Sequence, residues 1–172
     1  MPSTLKFASH VPSSRRTALE ALVFFNSCQI RVIDSIVDAI ERYGTLEIVQ
    51  DGDRLSVTVA ELPEAQSFFA IDDLDRPVGV AIFMRADMEQ IIVLHIGVAE
   101  EFASGGRRAH EQLLLKMLRE LRRCGRRMKG VRRIQLFYRQ ERGTDAEAAA
   151  EELDSMTSKR RRQSGVAMRR IT

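Results

Sequence analysis

The sequence predicts an α/β domain of layered α+β type: a mixed sheet with N-terminal helices, central antiparallel strands and a βαβ unit near its end. Three observations predict it. Apolar residues recur at steps of three and four from residue 14 to 43, the period of a helix. Two hairpin patterns follow, alternating or wholly apolar runs broken by turns rich in Asp and Gly. From Met88 to Tyr138 the chain then reads strand (MEQIIVLHIGV), glycine loop (EEFASGG), helix (RRAHEQLLLKMLRELRRCG) and strand (VRRIQLFYR). With 172 residues, one domain spanning the chain is expected, long enough to bury a core. Residues 1–13 read as a flexible lead, and residues 143–172 as a weakly packed helix and a basic tail.

Within residues 14–43, Thr17 and Glu20 form a capping-box pattern. Leu19, Leu22, Val23, Asn26, Ile30, Ile33, Val37 and Ile40 form the apolar stripe. Asn26, Ser27 and Cys28 are weak helix formers, so two helices joined near them are an alternative to one. Gly44 closes this segment. Thr45–Gln50 and Arg54–Val59 make a first hairpin around Asp51, Gly52 and Asp53. Gln66–Ile71 and Pro77–Arg85 make a second around DDLDR, apolar on both sides of its turn, as strands covered on both faces would be. In the next strand Ile92, Leu94, Ile96 and Val98 alternate with Ile91, Val93, His95 and Gly97. The helix after it shows Leu114, Met117, Leu118 and Leu121 as the stripe toward the sheet, with Leu113 at its margin. Its outer surface carries Arg108, Lys116, Arg119, Arg122 and Arg123. Past Tyr138, Thr144 and Glu147 open another capping box ahead of AEAAAEELDSM, and KRRR and VAMRRI follow.

No apolar run reaches the roughly 18 residues of a membrane span, and the start is unlike a signal peptide, so a cytoplasmic protein with no membrane partner is expected. Cys28 and Cys124 lie far apart and form no ligand pattern with the three histidines. That argues against a disulfide framework and against a metal site. Charge is unevenly spread: residues 1–102 hold 8 Lys/Arg against 16 Asp/Glu, and residues 103–142 hold 13 against 3. A positive field of this kind attracts a phosphorylated cofactor, a nucleic acid or an acidic protein, or neutralises the acidic half of the same molecule. Aromatic residues do not interleave with the helix arginines, which argues against nucleic acid as a partner.

The order of elements, with FFAIDDLDRPVGVAIF and IIVLHIGVAEEFASGGRRAHEQLLLKML inside it, resembles the GNAT superfamily of N-acetyltransferases, best from Gln66 to Tyr138. The resemblance implies a GNAT-like sheet and acetyl-CoA as co-substrate. It assigns the pantetheine arm to the backbone of Ile96, Gly97 and Val98. The diphosphate falls to the loop of Ser104, Gly105, Gly106, Arg107, Arg108 and Ala109, whose amides would hold it at a helix start. The family loop usually reads Arg or Gln, two residues, Gly, one residue, then Gly or Ala. Here Gly106 matches, while Ala103 and Arg108 take the outer positions. Arg108 would either obstruct a phosphate or supply a guanidinium to it. For the proton transfers of amine acylation the candidates are Glu100, Glu101 and His95. Each also has a structural reading, the Glu pair as a solvated turn and His95 as a satisfied core residue. The tyrosine that many family members use as general acid has no match in AEAAAEELDSM.

These residues favour an acetyl-CoA-dependent N-acyltransferase acting on a small-molecule or protein amine. The alternative is a non-catalytic GNAT-fold binding or assembly protein whose basic helix contacts an acidic partner or nucleic acid. A homodimer is compatible with both readings.

Overall fold

The computed structural model describes residues 5–27, 29 and 33–137. In chain order the elements are β1 (Lys6–Ala8), β2 (Val11–Pro12), α1 (Arg16–Phe24), α2 (Ile33–Tyr43), β3 (Leu46–Asp51), β4 (Arg54–Val59), β5 (Gln66–Ile71), β6 (Pro77–Arg85), β7 (Gln90–Val98), α3 (Leu113–Arg127) and β8 (Arg133–Leu136). One sheet has the order β1-β5-β6-β7-β8 and a smaller one the order β2-β4-β3. Every pairing is antiparallel except β7 with β8, which α3 connects as the crossover of a βαβ unit. No described helix is long and apolar enough to cross a membrane.

β5 and β6 are apolar at successive positions because both faces of the large sheet are covered. On one face Phe69, Ile71, Val80 and Ile82 meet Leu19, Leu22 and Val23 of α1 and Leu55, Val57 and Val59 of β4. On the other, Phe68, Ala70, Ala81 and Phe83 meet Leu113, Met117 and Leu121 of α3. Each of these side chains larger than alanine contributes about 1.5–3 kcal/mol on burial, so these two layers dominate the stability of the sheet.

Several expectations are corrected. The stretch read as a flexible lead supplies β1 and β2: Phe7 stacks on Phe68 at 5.4 Å between ring centroids, and Val11 is fully buried. Thr17 lies inside α1, whose N-cap is Arg15 without a side-chain cap, and Glu20 instead pairs with Arg16 at 3.0 Å. The helical segment does divide, since α1 ends at Phe24 and α2 starts at Ile33. Only its first half buries the stripe; Ile33, Val37 and Ile40 of α2 remain exposed. In α3 the buried row is Leu113, Met117, Leu121 and Gly125, with Leu114 exposed. The physical reason is the start of the helix. Gln112 takes the left-handed conformation (φ 51°), so α3 begins at Leu113 rather than Arg107 and that first leucine drops onto the sheet.

β7 also departs from simple alternation. Ile82 opposes His95 and Phe83 opposes Val93, so Leu94 is an extra residue, a β-bulge. Beyond it the faces exchange. Ile92 and Leu94 join the α1-side core, whereas Ile96 and Val98 pack with Ile91 and Val93 on the α3 side. Cys28, Ile30, Tyr138 and the segments after it lie outside the described residues.

Candidate active site

The bulge sets the chemistry at the end of β7. Its parallel ladder with β8 runs from Gln90–Arg133 to Val93–Leu136 and stops there, while β7 continues to Val98. Ala99 donates to the Val78 carbonyl on the β6 side at 2.8 Å. Successive residues face opposite edges of a strand, so the peptide groups of Val98 and Ile96 face the edge that β8 no longer covers. There the Asn26 side-chain amide donates to the Val98 carbonyl at 2.7 Å. Among the described residues the expected backbone platform of Ile96, Gly97 and Val98 is therefore a strand edge beyond the β8 ladder, with one carbonyl held by α1's C-terminal extension, an arrangement that fits an extended arm carrying amides.

The expected diphosphate cradle is folded on itself. A short 3₁₀ turn, Glu100–Phe102, follows β7, and a second, Ala109–Glu111, precedes α3. Between them Gly106 donates to Ala103, Arg108 to Glu101 at 2.7 Å, and Ala109 to Gly106. Three of the amides assigned to phosphate are thus engaged within the loop. Gly106 itself is explained by that closure: a Cβ there would lie 2.5 Å from the Glu101 carbonyl oxygen and nearer still to that of Glu100. Carbonyl oxygens at this place present negative partial charge, opposite to what an anion seeks. The pantetheine end fits the strand; in this loop conformation the diphosphate end does not fit the amides. Ser104 and Gly105 are exposed at the loop tip.

The loop arginines are likewise committed. Arg108 donates through Nε to Glu111 at 2.7 Å and lies over the Phe102 ring at 4.1 Å. The hydrogen bond it donates to Glu111 raises the Arg108 pKa and lowers that of Glu111. Arg107 bonds Glu101 at 2.6 Å, and Arg76 and Arg108 approach the same carboxylate at 3.5 and 3.9 Å. Glu101 is therefore a clasp for three guanidiniums, joining the β5–β6 turn to the loop. Arg76 is itself anchored by the buried Asp72, at 2.9 and 2.7 Å. Burial pushes the Asp72 pKa up, and hydrogen bonds from Arg76 and the Leu74 amide outweigh it, so the net shift is downward.

Glu100 stands differently. It is exposed, accepts a hydrogen bond from the Ser27 hydroxyl, and lines a cleft of about 280 Å³ between α1 and the ends of β6 and β7. Ala18, Leu22 and Val78 make the cleft's apolar wall; Asn26, Arg76 and Glu101 are its other polar groups. His95 is buried, 4% exposed, with Nε2 at 3.2 Å from the Gln29 amide nitrogen. That nitrogen also donates to the Val23 carbonyl at 3.2 Å, so it is the donor to His95 and the imidazole proton resides on Nδ1. Burial lowers the His95 pKa from 6.5 to about 4. The structure thus brings Glu100 and Glu101 to one cleft and sets His95 in the layer beneath α1. Among the described residues, no group of three or more His, Cys, Asp or Glu is placed to hold a metal ion.

Asn26, Ser27, Gln29 and Arg76 are the site residues that sequence reasoning did not single out. Two of them left a signal: Asn26 is an amide within an apolar stripe, and Arg76 is the one cation of an acidic turn.

No protein-family model matches the chain, and no curated protein matches it in sequence. Among solved structures it is similar to an IAA acetyltransferase from Bacillus cereus ATCC 14579, at 13% identity over 71% of this chain and 61% of that one, with a TM-score of 0.34. An acetyltransferase from Streptococcus agalactiae 2603 matches at 13% identity over 66% and 63% of the two chains, with a TM-score of 0.35. Nourseothricin acetyltransferase matches at 17% identity over 67% of each, with a TM-score of 0.29. The chain spans about three fifths of the length of the first two. Its own strand order, an antiparallel centre flanked by the parallel β7–β8 pair around α3, is the mixed sheet with a βαβ unit that the sequence predicts.

Proposed function

We propose that the chain is an N-acyltransferase that takes acetyl-CoA as co-substrate and acylates an amine held in the cleft beside α1. The observation that carries this reading is the length of β7 left unpaired by β8 among the described residues. Its ladder with β8 ends at Val93, yet the strand continues to Val98, so an extended amide-bearing arm has an edge along which to pair. Acetyl-CoA, when bound, supplies an acyl group already activated as a thioester. Glu100 is the carboxylate best placed to take the proton of the amine, being exposed at the cleft and oriented by Ser27. Asn26 holds the Val98 carbonyl, and Glu101 ties the loop to the β5–β6 turn; both position rather than react. His95 serves as a neutral, buried support for Gln29. The Glu100 carboxylate, not paired with a guanidinium among the described residues as Glu101 is, favours a cationic acceptor, whether a small amine or a protein amine.

A second reading draws on the loop. Amides turned inward and arginines already paired suit a GNAT-fold protein retained for binding, without acyl transfer. Calorimetry with coenzyme A and with acetyl-CoA separates the two, alongside an Arg108→Glu variant and turnover over an amine panel. Saturable one-to-one binding, with turnover that Glu100→Gln abolishes while leaving cofactor affinity intact, is expected of the enzyme. An absence of heat together with an unchanged Tm at millimolar cofactor refutes it.

A further inference from the structure

Away from the cleft, the outward face of α3 continues into the segment that leads to β8. Between residues 116 and 133 the chain holds nine Lys/Arg against one Glu. Every exposed residue of this stretch is Lys or Arg, apart from Gly130. Arg122 and Arg126 on α3 face Arg132 and Arg133 across a groove of about 540 Å³ floored by Gly125, Val131 and Ile134. Gly125 lets α3 lie close against the sheet, since Ile134 and Ile91 approach within 3.3–3.4 Å of where its Cβ would stand. Arg123 pairs with Glu120 and Arg132 with Glu89, at 3.4 and 3.7 Å. Arg119, Arg122, Arg126, Arg127 and Arg133 have no ion pair among the described residues.

We propose that this face binds the phosphodiester backbone of a nucleic-acid duplex. On α3 the arginines recur at 119, 122, 123, 126 and 127, one row about 12 Å long at 1.5 Å per residue. That length is comparable with three to four phosphates of one strand, spaced roughly 3.4 Å apart along a duplex. Guanidinium forks match phosphate oxygens in pairs, which a lysine surface would not. An acidic protein is the poorer occupant, because a protein interface needs apolar or aromatic anchors at its centre, and the exposed apolar residues of α3, Leu114 and Leu115, lie at its first turn, outside the basic stretch 116–133. Single strands are poorer too, for they need aromatic platforms. A duplex presents phosphates without requiring stacking, so the lack of aromatics that weighed against nucleic acid in the sequence does not weigh against this mode.

The test is fluorescence anisotropy of the full chain with a labelled mixed-sequence DNA duplex, an RNA duplex and polyglutamate. If the five unpaired arginines neutralise five phosphates, affinity falls roughly 500-fold between 50 and 200 mM salt. The double variant Arg122→Glu, Arg126→Glu is expected to lose at least tenfold in affinity at the lower salt, while Arg54→Glu on β4 binds as the parent does. Equal binding of DNA and RNA duplexes supports backbone recognition; preference for one identifies the source. Polyglutamate binding as tight as the duplex, no salt-dependent binding, or duplex binding untouched in a double variant with parental circular dichroism overturns the proposal.

Discussion

Replacing His95 by Gln and following stability against pH tests the buried-imidazole reading directly. His95 is 4% exposed, and burial brings its pKa from 6.5 to about 4. Between those values the unfolded chain binds a proton that the folded chain refuses, so stability rises with pH across that window. The parent is therefore at full strength above pH 6.5 and weakens as pH falls toward about 4. At about 1.4 kcal/mol per pH unit, the gap amounts to about 3 kcal/mol, a large part of a stability of roughly 5–15 kcal/mol. His95→Gln removes the titration while keeping an amide that can accept from Gln29, at a roughly constant cost of 1–2 kcal/mol for altered packing. Urea unfolding from pH 7 down to about 4.5 should then show parent and variant curves converging as acid is added and crossing before the end of the series. Parallel curves, or an imidazole NMR titration of the folded protein with its midpoint near 6.5, would refute the reasoning. The same low pKa makes His95 a weak base at neutral pH, which favours Glu100 for proton transfer.

Gly106→Ala is expected to cost about 1–3 kcal/mol in urea unfolding, because its Cβ would press on backbone carbonyls that cannot turn away. Gly79→Ala should cost less: its Cβ meets chiefly the thioether of Met117, a side chain that can rotate. Asp72→Ala removes the acceptor of the Leu74 and Arg76 amides and the anchor of Arg76, for a loss of about 2–3 kcal/mol, since Arg76 is partly exposed and keeps Glu101 as a partner. The Asp72 contribution is fully present above pH 3.8 and disappears as pH falls through the lower folded value, so the variant lacks this acid-side loss in a urea series carried below pH 3.8. Asn26→Ala leaves the Val98 carbonyl without its amide donor, costing about 1 kcal/mol and quickening hydrogen exchange at the end of β7 relative to β6.

What the amino-acid sequence determines by itself is whatever depends on neighbours along the chain. Gln66–Ile71 and Pro77–Arg85 are legible as strands to the residue, because unbroken apolar runs ending at DDLDR admit a hairpin and little else. The crossover from β7 through a basic helix to β8 is legible for the same reason, and so is the meeting of Glu100 and Glu101 at a strand end. Tertiary structure decides what depends on a partner. The bulge at Leu94 exists because β6 offers one residue fewer than β7, and it moves Ile96 and Val98 to the opposite core from Leu94. Leu113 rather than Leu114 is buried because Gln112 resets the phase of α3. Gly106 looked like room for a phosphate, yet it makes room for the carbonyls of Glu100 and Glu101. A glycine in a sequence says only that something comes close; which atoms come close is set by the folding of the loop around it.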